Sequence, residues 1–449
     1  MFSVFSLVLA LDDGLARTPP MGYRTWNDVH GIVDAAYVQK MVDAVVSRQR
    51  LVDGKPMSLL DLGYARVGLD DGWQACGTGY APAGQKPSFH AADGTPLVNK
   101  TIFPSLKAMV TYGHSKGVLM DFYGLNCICM DEYTLQAEQS WGDTCYAGDV
   151  KLLLDAGFDG IKIDNCGDDQ GRGYVARTAA INASASGKIL IENSNQGFGN
   201  PWPDGIPSRN PPGPPRENPP NRSVLPNYCP FHMFRSGGDI GPSFGDIYGK
   251  LQFTRPYLDA VSPVSRPGCW AFPDMLEVGN FEGDKAFVES RSHFGAWCVI
   301  SSPLLLSTAL ADNAVMDAIW PIVSNTDAIR INQMWHGHPG RFVTEGPGYQ
   351  LWAKVGANGS QAVFLLNHGD APLKAISVAL ADVGLTCSSS APCAAYDVWA
   401  RADLPEVGAT WDVANLAPHD SQFVSISPPK RVELDPTLSP EISQTERVA

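Results

Sequence analysis

Between residues 20 and 332 the chain alternates short apolar runs with helical patterns, and this rhythm constrains the fold more than any other feature. Val38, Met41, Val42 and Val45 recur at helical spacing over residues 35–48. Leu106, Met109 and Val110 repeat the pattern over residues 105–112, ahead of Gly113. Val150, Leu153 and Leu154 do so again before Gly157, a residue suited to a helix stop. Strand-like runs fall between them at residues 65–69, 118–123, 160–163 and 189–191, with fainter ones at 233–234 and 300–306. Adjacent parallel strands need a long crossover, which an intervening helix supplies. Strand–helix alternation over roughly 300 residues therefore predicts an α/β fold, a (β/α)8 TIM barrel spanning residues 11–335.

After residue 340 the rhythm changes. Residues 349–355 and 361–366 alternate across an Ala-Asn-Gly turn and read as a hairpin. Further strand-like runs at 374–380, 396–399 and 422–426 complete a small antiparallel β-sandwich over residues 340–430. Residues 431–449 are polar and expected to be disordered. Residues 198–230 hold eleven prolines, which bars helix and central strand, so a long loop over one barrel face is expected. Residues 1–10 resemble the apolar region and cleavage site of a signal peptide, shortened and without its basic flank.

The net charge of −14 argues against nucleic acid, whose phosphates would repel the surface. Beyond the leader, no stretch approaches the length of a membrane span. Glycosylation sequons at Asn99, Asn182, Asn221 and Asn358 favour the secretory route, with an extracellular, lysosomal or vacuolar address. The ten cysteines lack zinc-ligand spacing. Cys387 and Cys393 bracket a short loop and are expected to pair; Cys127, Cys129, Cys145 and Cys166 are candidates for one or two further bridges.

Acidic residues cluster where strands end. Asp70 and Asp71 follow one run, Asp164 follows Gly-Ile-Lys-Ile, and Asp239 closes Met-Phe-Arg-Ser-Gly-Gly. In a TIM barrel the C-terminal strand ends converge on one pocket. Carboxylates accept from sugar hydroxyls, Lys and Arg donate to them, and aromatic planes such as Trp26, Trp73 and Tyr123 pack the apolar ring face. Two carboxylates are also the machinery of glycoside hydrolysis.

At these residues the chain resembles glycoside hydrolase family 27, the α-galactosidase and α-N-acetylgalactosaminidase family. The resemblance runs through Leu15-Ala-Arg-Thr-Pro-Pro-Met-Gly22 with Trp26, Leu69-Asp-Asp-Gly-Trp73, Phe103-Pro104 and His114-Ser-Lys-Gly117. It continues through Lys162-Ile-Asp-Asn-Cys166, Arg235-Ser-Gly-Gly-Asp239, Pro273-Asp-Met-Leu-Glu-Val-Gly-Asn280 and Ser302-Pro-Leu-Leu-Leu306. It implies Asp164 as nucleophile and Asp239 as acid/base, their carboxyls about 5 Å apart, with the Asp239 pKa raised. It further implies that Trp26, Asp70, Asp71, Tyr123, Lys162, Arg235 and Asp274 bind substrate, and that Cys166 bridges to Cys127 or Cys129.

The departures gather on the specificity face. Tyr23 and Gly72 stand where Trp and Cys are usual, and Cys269, Ala271 and Phe272 where Gly, Asn and Asp are usual. Residues 191–197 occupy the strand and loop that read the sugar's 2-substituent, and residues 126–129 and 141–149 lengthen the loop before the nucleophile strand. The expected activity is retaining removal of terminal α-linked galactose, without metal or cofactor. The alternatives are the same chemistry on α-N-acetylgalactosamine or β-L-arabinopyranose, or a non-catalytic glycan-binding protein on the same barrel. The expected partners are terminal galactosyl glycans, with a homodimer admitted as an assembly. His419 reads as a sandwich residue and Asp168-Asp169 as a solvated loop.

Overall fold

A computed structural model describes residues 13–125, 127–129, 131, 135, 139–164, 172–184, 189–194 and 229–429. The leader, the tail and residues 198–228 of the proline-rich segment lie outside the described residues.

Eight parallel strands form the first sheet: β1 Met21–Arg24, β2 Arg66–Gly68, β3 Leu119–Gly124, β4 Gly160–Ile163, β5 Leu190–Asn193, β6 Met233–Arg235, β7 Trp270–Phe272 and β8 Leu304–Leu306. They pair in chain order, and β8 returns to β1 through Met21 opposite Leu304. A parallel bridge from Leu276 to Leu306 links the chain beyond β7 to β8 and closes the ring. The expected TIM barrel is present.

The helices are α1 Ala35–Val46, α2 Leu106–Ser115, α3 Gln139–Ala156, α4 Arg172–Ala183, α5 Phe244–Thr254, α6 Ala286–Val299, α7 Asn313–Val323 and α8 Thr326–Gln333. Side-chain caps start several of them: Asp34 accepts from Tyr37 N, Ser105 from Ala108 N and Ser243 from Asp246 N. The α1 face read from sequence is the buried one, since Val38, Met41, Val42 and Val45 are its buried residues. Gly157 takes the left-handed φ of +84° expected of a helix stop. Gly113 instead lies inside α2, where a Cβ would meet Met120 Sδ at 2.2 Å. Close packing on β3, and not a helix end, explains that glycine.

One expectation about the helices needs correcting. Residues 141–149 belong to α3 and do not lengthen a loop. Trp141, Cys145, Tyr146, Asp149, Val150 and Leu153 are all buried at helical spacing. The acidic member of that face hid the pattern.

The C-terminal unit has a six-stranded antiparallel sheet of β9 Arg341–Gly346, β10 Tyr349–Val355, β11 Gln361–Asn367, β13 Cys393–Asp397, β14 Ala402–Val407 and β16 Ser421–Ser427. Their order is β9-β10-β11-β16-β13-β14. A separate pair, β12 Leu373–Ala379 and β15 Thr410–Leu416, packs into the same core, as a sandwich requires. The β10–β11 hairpin turns through Asn358 at φ +53°. Trp352, Phe364 and Phe423 join the barrel's core cluster, so one apolar mass crosses the junction. His419 lies on that junction, stacked on Phe244 at 3.9 Å with Nδ1 2.6 Å from Glu289.

Cys387 pairs with Cys393 as expected. Cys129 pairs with Cys76, which removes it as a partner for Cys166. Cys127 is itself disulfide-bonded, and Cys166 lies outside the described residues. Cys229–Cys269 was not foreseen, and Cys145, one of the four candidates for a further bridge, is a buried free thiol.

Candidate active site

Each strand of a parallel barrel delivers its last residues to one rim. Asp70 and Asp71 follow β2, Tyr123 lies near the end of β3, and Lys162 and Asp164 flank the end of β4. Arg235 ends β6, Asp239 follows it, and Asp274 follows β7. Register brings Tyr123, Lys162 and Glu192 level on adjacent strands.

Asp164 is one-fifth exposed. Its Oδ2 accepts from the Tyr123 hydroxyl at 2.9 Å and lies 3.9 Å from Lys162 Nζ. Lys162 Nζ donates to Asp70 Oδ2 at 2.8 Å and sits 5.4 Å from the Tyr123 ring centre. Burial alone would lower the Lys162 pKa, but Asp70 and Asp164 outweigh it and hold the ammonium charged. Asp71 accepts Ile128 N at 2.9 Å, while burial pushes its carboxyl up to about 7 with the Asp70 charge adding to the rise.

Asp239 is the open member of the group, with 75% of its side chain exposed. Arg235 Nη2 donates to Asp239 Oδ1 at 3.1 Å and lies 2.7 Å from Asp274 Oδ2. Asp274 Oδ2 also accepts Ile240 N at 2.8 Å, and its Oδ1 accepts Met275 N at 2.8 Å. Asp274 thus reaches the site by holding Arg235 and the backbone beside Asp239. The expected rise in the Asp239 pKa is absent from the open site. Burial raises it, but the Arg235 and Lys162 charges prevail and leave it below the ordinary carboxylate value.

Trp26 is half-buried at the rim, edge-on to His30 at 5.3 Å. Trp73 is no pocket wall. It is buried against Phe89 and Phe122, and its Nε1 donates to Tyr123 O at 3.2 Å.

Sequence reading missed two charged residues in the floor. Arg24 ends β1 and Glu192 lies on β5; both are buried, and Arg24 Nη2 donates to Glu192 Oε2 at 2.6 Å. The available signal was a charge at the end of one barrel strand and one residue before the end of another. Among the described residues no group of three or more His, Cys, Asp or Glu side chains could hold a metal ion.

A parallel barrel that gathers carboxylates, a lysine, an arginine and a tyrosine at one rim has the form of a glycoside-processing enzyme. The family model described as alpha galactosidase A matches residues 18–334, and the alpha galactosidase C-terminal beta sandwich domain model matches residues 346–426. The chain belongs to glycoside hydrolase family 27, the melibiase or α-galactosidase-like family, and is a glycosidase of retaining mechanism. That membership displaces the non-catalytic alternative. An α-galactosidase of Oryza sativa subsp. japonica is 28% identical, over 93% of this chain and 87% of its own. An α-N-acetylgalactosaminidase of Gallus gallus is 26% identical, over 86% and 87%. The crystal structure of a β-L-arabinopyranosidase from Geobacillus stearothermophilus superposes with a TM-score of 0.69 at 19% identity, covering 92% of this chain and 97% of that one.

Proposed function

We propose that the chain removes terminal α-linked galactose from oligosaccharides or glycoconjugates, with Asp164 as nucleophile and Asp239 as acid/base. The observation that carries this is the division of labour between the two carboxyls. Asp164 sits recessed under a hydroxyl and an ammonium, while Asp239 faces the open mouth where a leaving group would depart. An Asp164 oxygen attacks the anomeric carbon as the bond from that carbon to the glycosidic oxygen breaks, and Asp239 gives its proton to the departing oxygen. Water then attacks the anomeric carbon, Asp239 takes the water's proton, and the Asp164 ester bond breaks. Configuration is retained. A bound aglycone covers Asp239 and excludes water, which moves its carboxyl upward from its open-site value. Asp70 and Asp71 accept sugar hydroxyls and Trp26 packs the ring face.

α-N-acetylgalactosamine and β-L-arabinopyranose form the second reading, supported by the activities named for the chicken and Geobacillus relatives. A secretory address is supported by the disulfides and by the exposed sequon residues Asn182 and Asn358. Wild type and Asp164→Asn are compared on p-nitrophenyl α-galactoside, α-N-acetylgalactosaminide and β-L-arabinopyranoside at about pH 5. Asp164-dependent release from the galactoside alone supports the first reading. Release from either other substrate alone selects the second, and silence on all three rejects both.

A further inference from the structure

The Arg24–Glu192 pair is expensive to bury. Both side chains are nearly inaccessible, and each charge carries a desolvation penalty that their mutual attraction must offset. Arg24 is also incompletely satisfied, since its Nε and Nη1 have no hydrogen-bond partner among the described residues. Gly68 on β2 makes room for it. A Cβ there would lie 3.1 Å from Arg24 Cζ and 3.2 Å from Nη1. Nη1 points toward Asp70, 4.0 Å from Oδ2.

These contacts join the catalytic group end to end. Glu192 lies 2.6 Å from Arg24, Arg24 4.0 Å from Asp70, Asp70 2.8 Å from Lys162, and Lys162 3.9 Å from Asp164. The signs alternate at every step. We propose that Arg24 and Glu192 are positioning residues for the nucleophile, acting by dividing the Lys162 ammonium between Asp70 and Asp164. This rests on the reading of Asp164 as nucleophile.

Lys162 is already closer to Asp70 than to Asp164. Arg24 supplies Asp70 with a second cation, which weakens its hold on Lys162 and leaves the ammonium within reach of Asp164. Glu192 limits that effect by drawing Arg24 to itself. Removing Arg24 lets Asp70 take Lys162 fully and strips positive charge from around the nucleophile. Removing Glu192 releases Arg24 toward Asp70 and frees Lys162 toward Asp164. The two neutralising changes therefore act on Asp164 in opposite directions. The other ionisable groups facing the run are Asp121 and Tyr123 on β3, Asp71 after β2, Arg235 on β6, Asp239 after β6 and Asp274 after β7. None of them is altered in the test.

The readout is the titration of the Asp164 carboxyl carbon by 13C NMR, assigned from its disappearance in Asp164→Asn. Arg24→Gln is expected to move its midpoint up, and Glu192→Gln down, each by about half a pH unit or more. The double variant and Arg24→Lys should return toward wild type. The acid limb of kcat/KM should follow the same signs. Midpoints unchanged in both single variants, or moved the same way, overturn the proposal, and a loss of thermal stability alone assigns the pair a structural role. Should Arg24→Gln fail to fold, Glu192→Gln and Arg24→Lys carry the same test. Because the titration needs no turnover, an inactive wild type would sink the functional reading without deciding this one.

Discussion

Two of the buried charge groups among the described residues of this barrel are built to different ends. At the rim, Lys162 joins Asp70 to Asp164 and Arg235 joins Asp274 to Asp239, and the Asp239 carboxyl stands in solvent. Behind it, His90 from the loop after β2 bridges Asp131 at 3.2 Å and Asp149 of α3 at 3.0 Å. Arg177 of α4 closes on Asp149, with its guanidinium 4.4 Å from the Tyr146 ring. All four charged members of this second group are buried. The closed group ties two loop segments and two helices together. The open one keeps a carboxyl available for a proton, so openness, not the number of charges, separates reactive from structural networks.

The sharpest way to test that difference is to remove one charge from each. Asp164→Asn should lower kcat/KM by about 10³-fold or more while leaving the unfolding midpoint close to wild type. Asp239→Asn should lower kcat/KM by about 10²- to 10⁴-fold on substrates with a sugar leaving group. The loss should be far smaller on an aryl glycoside whose leaving group departs without a proton. Equal losses on both substrates would deny Asp239 the acid role. In the closed network, Arg177→Met strands Asp149 without its guanidinium. It should destabilise by about 3–5 kcal/mol in urea titration. Its kcat/KM, measured well below the melting range, should stay near wild type. A catalytic loss in Arg177→Met that outlasts restored folding would erase the proposed distinction.

The same contrast explains what the sequence discloses. Barrel strands were legible because strand and helix differ in apolar period, and the rim carboxyls because strand ends must converge. The closed network was not legible. His90 sits in a loop, and Asp149 interrupts the apolar face of α3, so the helix reads as starting near Val150 although it starts at Gln139. Arg24 and Glu192 escaped for another reason. Each is a lone charge on its strand, and only the closure of the barrel makes them neighbours. The Cys76–Cys129 bridge depends in the same way on two loops meeting in space.

The finest separation of the two groups lies in stability against pH. Burial raises Asp71 to about 7, and also raises to about 7 Glu277, which lies beyond β7 and accepts from Asn280 Nδ2 at 2.6 Å, so both keep their protons in the folded state above their ordinary values. Stability from these two carboxyls is complete below the unfolded values near 4 and is lost as pH rises through about 7. His90 is also raised well above its ordinary value, since Asp149 and Asp131 overcome the effect of burial. Its contribution is complete below the unfolded value near 6.5 and is lost only as pH rises through the higher folded value. The two windows follow one another, with each pH unit of displacement worth about 1.4 kcal/mol. Asp71→Asn or Glu277→Gln should therefore flatten the fall in melting temperature between about pH 4 and 7 and leave the alkaline fall intact. His90→Gln should lower the melting temperature at acidic pH and flatten only the alkaline fall. A single variant that flattened both windows would mean that the rim and the closed network titrate as one unit.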